Sequence, residues 1–140
     1  MLVKYKTVDH KCHLGYNSSI VKQQGAEMNY TKEQVVTIVA EAKQAARLAA
    51  DEFFQEKMGG RDQGCCGFAW VEIFGIKGNT KMGKTLKAAG VRQDYNRTFT
   101  IWNPSEHGAQ NIDTKEAGAY AAAKVFEKYG FQAYAGSRLD

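Results

Sequence analysis

Val35, Ile38, Val39, Ala42, Ala46, Ala49 and Phe53 recur at the three- and four-residue spacing of a single helix face. The helix they predict runs from about Thr31 to Lys57. Thr31 supplies an N-cap with Gln34 three residues on to reach back, and Gly59 and Gly60 stop the run. At 1.5 Å per residue such a helix is about 40 Å long, more than a small sheet needs for cover. Its alanine-rich middle predicts close packing, with a second copy of the chain as one possible partner and a homodimer as the result.

Around this helix the remaining segments alternate. In "GCCGFAWVEIFG", Gly64 to Gly75, the large residues Phe68, Trp70 and Phe74 alternate with the small residues Gly67, Ala69 and Val71. That pattern predicts a central strand buried on both faces, its small face open to a closely packed helix. Thr80 to Ala89 reads as a short helix ended by Gly90, and "RTFTIWN", Arg97 to Asn103, as a second strand ended by Pro104. Asp113 or Thr114 then caps a helix that carries Ala122, Val125, Phe126 and Tyr129 and closes at Gly130. "FQAYAG", Phe131 to Gly136, is a last short strand. The fold class expected is α+β: a two-layer sandwich in which a three- to four-stranded sheet is packed by the long N-terminal helix and a C-terminal helix. The final strand–helix–strand unit is most simply a right-handed parallel crossover.

The length of 140 residues fits one domain. Residues 29 to 140 carry its pattern. Residues 1 to 28 read as an N-terminal extension, in which "MLVKYKTV" has strand character and the rest has no steady period. Met28, directly before the helix opening, is an alternative translation start, to be decided by the codons for Gln24 to Glu27. No apolar run reaches the length of a membrane span, and residues 1 to 25 lack the apolar block of a signal peptide, so a cytoplasmic location is expected. Cys12, Cys65 and Cys66 are odd in number, and two are adjacent, which favours free thiols.

The net charge of +4 is concentrated. Lys77, Lys81, Lys84, Lys87, Arg92 and Arg97 lie close together against one acid, Asp94. This basic face suits a phosphate-bearing or acidic partner. Within it "GNTKMGKT", Gly78 to Thr85, matches the letters of a phosphate-cradling P-loop. The context opposes the match: Gly90 ends the helix too soon, and the strand "TFTIWN" ends in Asn103 and Pro104 where a magnesium-holding aspartate would be needed. A capped short helix with basic side chains is the better reading.

Three other chemistries are weighed. His10, Cys12 and His13 with Cys65 and Cys66 have zinc-ligand types but not zinc-ligand spacing. Cys66 as a nucleophile would need His107 as its base, and a buried thiol in a small-residue strand is the simpler account. Tyr95, Arg97, Phe99 and Trp102 interleave rings and cations in the manner of a nucleic-acid surface. Phe99 is expected in the core, and at least Arg92 or Arg97 at the surface. No metal or cofactor is expected.

The strand "CGFAWV", Cys66 to Val71, the helix "KEAGAYAAAKVFEKYG" and the terminus "AYAGSRLD", Ala133 to Asp140, together resemble a group of small bacteriophage proteins, some from marine viruses. The resemblance covers most of residues 29 to 140 loosely and the first and last motifs tightly. It implies a viral source and a shared architecture rather than a reaction. Members of that group carry other residues where Gly83, Lys84 and Thr85 stand, which further weakens the P-loop reading. Arg138 then pairs with Asp140 or the terminal carboxylate. Alternatively, Arg138, Tyr134 and the Arg92/Arg97 patch line a pocket for an anion.

The expectation is a small non-enzymatic binding or host-interference factor that uses a basic face. Lys81, Lys84, Arg92, Arg97, Tyr134 and Arg138 are its candidate ligand residues, and an anionic host protein, a nucleic acid or a nucleotide-like small molecule its partner. The alternatives are an enzyme acting on a phosphorylated or nucleotide-like substrate, and a structural oligomer built on the long helix.

Overall fold

The computed structural model describes residues 28–140. The strand and zinc-ligand readings of the N-terminal extension lie outside these residues.

Helix α1 (Lys32–Glu56) opens as its sequence predicts. Thr31 Oγ1 accepts from the Gln34 amide at 3.1 Å while the Gln34 side chain accepts from the Thr31 amide at 2.8 Å. The two bonds satisfy donors that a helix start otherwise leaves bare. Its buried face is Val35, Ile38, Ala42, Ala46 and Ala50. The stripe continues in steps of four to Ala50, so Ala49, predicted to lie on it, stands at its margin.

That face packs on α3 (Ile112–Lys128), which buries Ala119, Ala122, Ala123 and Phe126. The helices approach closely: a Cβ placed on Gly118 would lie 3.2 Å from the Ala46 carbonyl oxygen and 2.8 Å from Ser105 Cβ. The alanine stripe that suggested a second copy of the chain therefore has its partner inside the same chain. Helix α3 is capped by Asn111, ahead of the predicted Asp113 or Thr114. Asn111 Oδ1 accepts from the Thr114 amide at 2.8 Å, and Asp113 follows in the first turn.

Between these helices and after them lie β1 (Gly67–Phe74), α2 (Lys81–Ala88), β2 (Arg92–Gln93), β3 (Phe99–Trp102) and β4 (Gln132–Leu139). The sheet order is β2-β3-β1-β4 with every neighbouring pair antiparallel. β3 and β4 run in the same direction, as a crossover requires, but β1 lies between them. In the same way β3 separates β1 from β2. Two split β-α-β units thus interleave, the connectivity of ferredoxin-like sandwiches, here preceded by α1.

Ala69, Val71 and Ile73 of β1, Phe99 of β3 and Ala133 and Ala135 of β4 form one core with Met82 and Leu86 of α2 and the facing sides of α1 and α3. The result is the two-layer α+β sandwich, with helices on one face of a four-stranded sheet. The small residues of β1 do admit a helix closely, since a Cβ on Gly67 would fall 2.6 Å from Ile112 Cδ1.

Three expectations about the strands change. The second face of β1 is not covered: Phe68, Trp70 and Glu72 are half-buried and Phe74 is exposed, with no helix over them among the described residues. β4 extends through Leu139, because all eight of its residues pair with β1, so "SRL" belongs to the sheet and not to a tail. The two-residue β2 lies between α2 and β3, where the sequence predicts no element.

Candidate functional site

The basic segment folds into a cleft where the core-side end of the sheet meets α2. After β1 the chain turns through Gly75–Asn79, and Thr80 caps α2 by accepting from the Gly83 amide at 3.1 Å. The cleft, about 1090 Å³ in volume, is lined by this turn together with Lys77, Lys84, Lys87, Gln93 and Arg97. Lys84 and Lys87 reach it from the same side of α2 because residues three apart share a helix face. Arg97 reaches it from the β2–β3 hairpin in a left-handed conformation, φ 67°. That conformation costs a non-glycine residue about 1–2 kcal/mol. Asp94 holds it, accepting from the amides of Asn96 and Thr98 on Oδ1 and from the Arg97 amide on its carbonyl.

No acidic side chain lines the cleft. Among the described residues, none of Lys77, Lys84, Lys87 and Arg97 has an ion-pair partner; the ion pairs found involve Lys43, Arg47, His107 and Lys128. Four cations around one hollow repel one another, and an anion placed there relieves that repulsion.

The P-loop letters have packing reasons. A Cβ on Gly83 would lie 2.1 Å from the Lys77 carbonyl oxygen and 2.8 Å from Gly78 Cα. One on Gly78 would meet Gln93 Oε1 at 2.6 Å and Lys87 Nζ at 3.0 Å. Both glycines let the turn and α2 touch. The groups that would cradle phosphate in a P-loop are already engaged: the Gly83 and Lys84 amides bond to Thr80, and the Thr85 hydroxyl donates to the Lys81 carbonyl at 2.9 Å. The helix begins before the Gly-Lys-Thr letters, so these groups face into helical hydrogen bonds rather than a loop's concave side.

The six predicted residues are divided among three places. Lys84 and Arg97 share the cleft. Lys81 lines an adjoining hollow of about 490 Å³ with Met28, Thr80 and Met82. Arg92, Tyr134 and Arg138 lie on the sheet face opposite the helices α1, α2 and α3. There Arg92, Thr100, Glu72 and Tyr134 form one row across the four strands, while Arg138 is paired with Phe68. Of the residues expected to form one pocket, Arg92, Tyr134 and Arg138 share this face, whereas Arg97, in the β2–β3 hairpin, lines the cleft instead. Arg138 is not paired with Asp140. Its guanidinium stands over the Phe68 ring, 5.4 Å from the centroid. Lys77, Lys87 and Gln93 complete the cleft; the Lys84/Lys87 spacing was the sequence signal for one of them.

The cysteine readings are corrected. Cys65 and Cys66 are both exposed, because the strand proper starts at Gly67. Their backbone is held by Asn111 and Ile112, while Cys66 Sγ lies 3.9 Å from Gln110 Oε1. His107 is no base for Cys66. Its Nδ1 accepts from the Ala109 amide at 3.0 Å, its Nε2 is 3.3 Å from Asp51, and its ring packs on Phe54. It ties the loop before α3 to α1. Among the described residues no group of three or more His, Cys, Asp or Glu side chains could hold a metal ion. No helix among them is long and apolar enough to cross a membrane.

Comparison with family models, with curated proteins and with solved structures finds no match to this chain.

Proposed function

We propose that this chain is a non-enzymatic binding protein that takes a phosphate-bearing partner into its basic cleft. The observation that carries the proposal is the convergence of Lys77, Lys84, Lys87 and Arg97 on one hollow that no acid lines. Binding is favoured over hydrolysis because the amides and the Thr85 hydroxyl that phosphoryl transfer would use are spent inside α2. In keeping with its resemblance to small phage proteins, the partner belongs to the infected cell and is met in the host cytoplasm.

Tripolyphosphate is the simplest probe. Calorimetric titration of the full chain should show binding that weakens as salt rises, since each cation engaged contributes to the salt slope. Lys84→Ala and Arg97→Ala should each weaken it by about tenfold, the scale of one charge-assisted hydrogen bond. Lys124→Ala, on the exposed side of α3, should leave it unchanged. Equal affinity in all three variants would overturn the assignment. Release of orthophosphate by the wild-type chain, abolished by Lys84→Ala, would replace binding with turnover.

A further inference from the structure

The sheet face that no helix covers among the described residues carries an aromatic surface that the cleft does not use. Trp70 and Trp102 are cross-strand partners with ring centroids 4.9 Å apart, and Phe68 meets Trp102 edge-on at 6.1 Å. The Trp70 indole lies against Gly136: a Cβ there would come within 2.5 Å of its Nε1. That nitrogen donates to Glu72 Oε2 at 2.8 Å, which fixes the ring. Trp102, the last residue of β3, is 50 % exposed beside Trp70. A rigid, solvent-facing aromatic cluster on a sheet marks an interaction surface rather than a core.

The charges at its margin select the partner. Arg138 and Lys115 each stand 5.4 Å from the Phe68 ring centroid, and Arg92 occupies the outer end of the row that crosses to Tyr134. The acid within the face, Glu72, is tied to Trp70. We infer that this face binds single-stranded nucleic acid, with bases stacked on Trp102 and its neighbours and phosphates held at the rim by Arg92 and Arg138. The row from Arg92 to Tyr134 spans three strand spacings, about 14 Å, on the scale of sheet platforms that stack two or three bases. Bases in a duplex are already stacked and paired, and a flat sheet cannot reach them, so the single strand is the form recognised. The face is opposite the cleft, because Arg92 and the cleft residue Gln93 alternate across β2.

The test is quenching of tryptophan fluorescence in the full chain by an oligothymidylate of about twelve nucleotides, within the range of sheet-bound single strands. Trp102→Ala should weaken binding about tenfold, Trp102→Phe should recover most of it, and Arg138→Ala should weaken it and lower the salt slope by about one. Far-ultraviolet circular dichroism of each variant reports the fold. Tripolyphosphate reads the cleft and the oligonucleotide reads the sheet, so the two proposals fail separately. Equal affinity for a duplex of the same length, unchanged affinity in Trp102→Ala, or no quenching at all overturns the inference. So does a doubling of mass in the wild-type chain that Trp102→Ala abolishes, since a second copy would then occupy the face.

Discussion

Gly83 shows how one residue can satisfy two readings. As a motif letter it promised a phosphate loop; as a packing position it is where α2 touches the Lys77 carbonyl oxygen, 2.1 Å from the site of a missing Cβ. Alanine normally gains about 0.5–1 kcal/mol over glycine within a helix. Here the obstacle is backbone rather than a movable side-chain end, so the clash outweighs that gain. Gly83→Ala should destabilise the fold by about 1–3 kcal/mol in denaturant unfolding, with tripolyphosphate binding impaired because the turn must shift.

Asp62 makes the second argument at this scale. Its carboxylate accepts from the Gln110 and Asn111 amides at 2.8 and 3.0 Å and from Asn111 Nδ2 at 3.0 Å. The Gln110 amide first, then the Asn111 side chain, hold its pKa below the ordinary aspartate value. A folded value below the unfolded one means that the stabilisation is present above about pH 4 and is lost as pH falls through the folded value. Asp62→Asn should therefore be less stable than the wild-type chain at neutral pH. The difference should shrink as pH falls below the ordinary aspartate range, as measured by denaturant midpoints.

Among the elements, the α1–α3 contact is where small side chains matter most. Ala46 is fully buried, and its carbonyl oxygen faces Gly118 across the helix crossing. Ala46→Leu should cost about 1–3 kcal/mol by overpacking and lower the melting temperature, whereas Leu48→Ala, at an exposed position of the same helix, should change little. The elements were legible where local chemistry decides them: the Thr31–Gln34 cap, the stop after α2 and the alternation in β1 all appear in the letters. They were not legible where pairing decides. β4 runs on through Ser137, Arg138 and Leu139 because β1 offers partners that far, and two residues of β2 have no period to detect. Asn111 caps α3 ahead of the equally plausible Asp113 because Asp62, far away in sequence, holds it in place.

For the whole molecule, the pattern of β1 specified two apolar faces but not what would cover them. Alternation of large and small residues reads the same whether the aromatic side meets a helix or water. Packing settles this, since α1, α2 and α3 all lie on the small-residue side. The same blindness scattered the candidate site: basic residues that are neighbours in sequence separate between cleft and open face once strand alternation is imposed. Of the six candidates, Lys84 and Arg97, one on a helix and one on a hairpin, share the cleft.

The central position of β1 also governs how the chain behaves before it is folded. Trp70 finds one partner at Trp102 and the other at Gly136, so both edges of the strand wait on segments made much later in synthesis. Until then "GFAWVEIF" is an apolar, strand-forming segment with unsatisfied backbone edges, the kind that self-associates into misfolded sheets. Glu72 is the one charge it carries. The carboxylate that orients Trp70 in the finished sheet thus acts earlier as a gatekeeper, keeping nascent chains from joining one another through their own central strand.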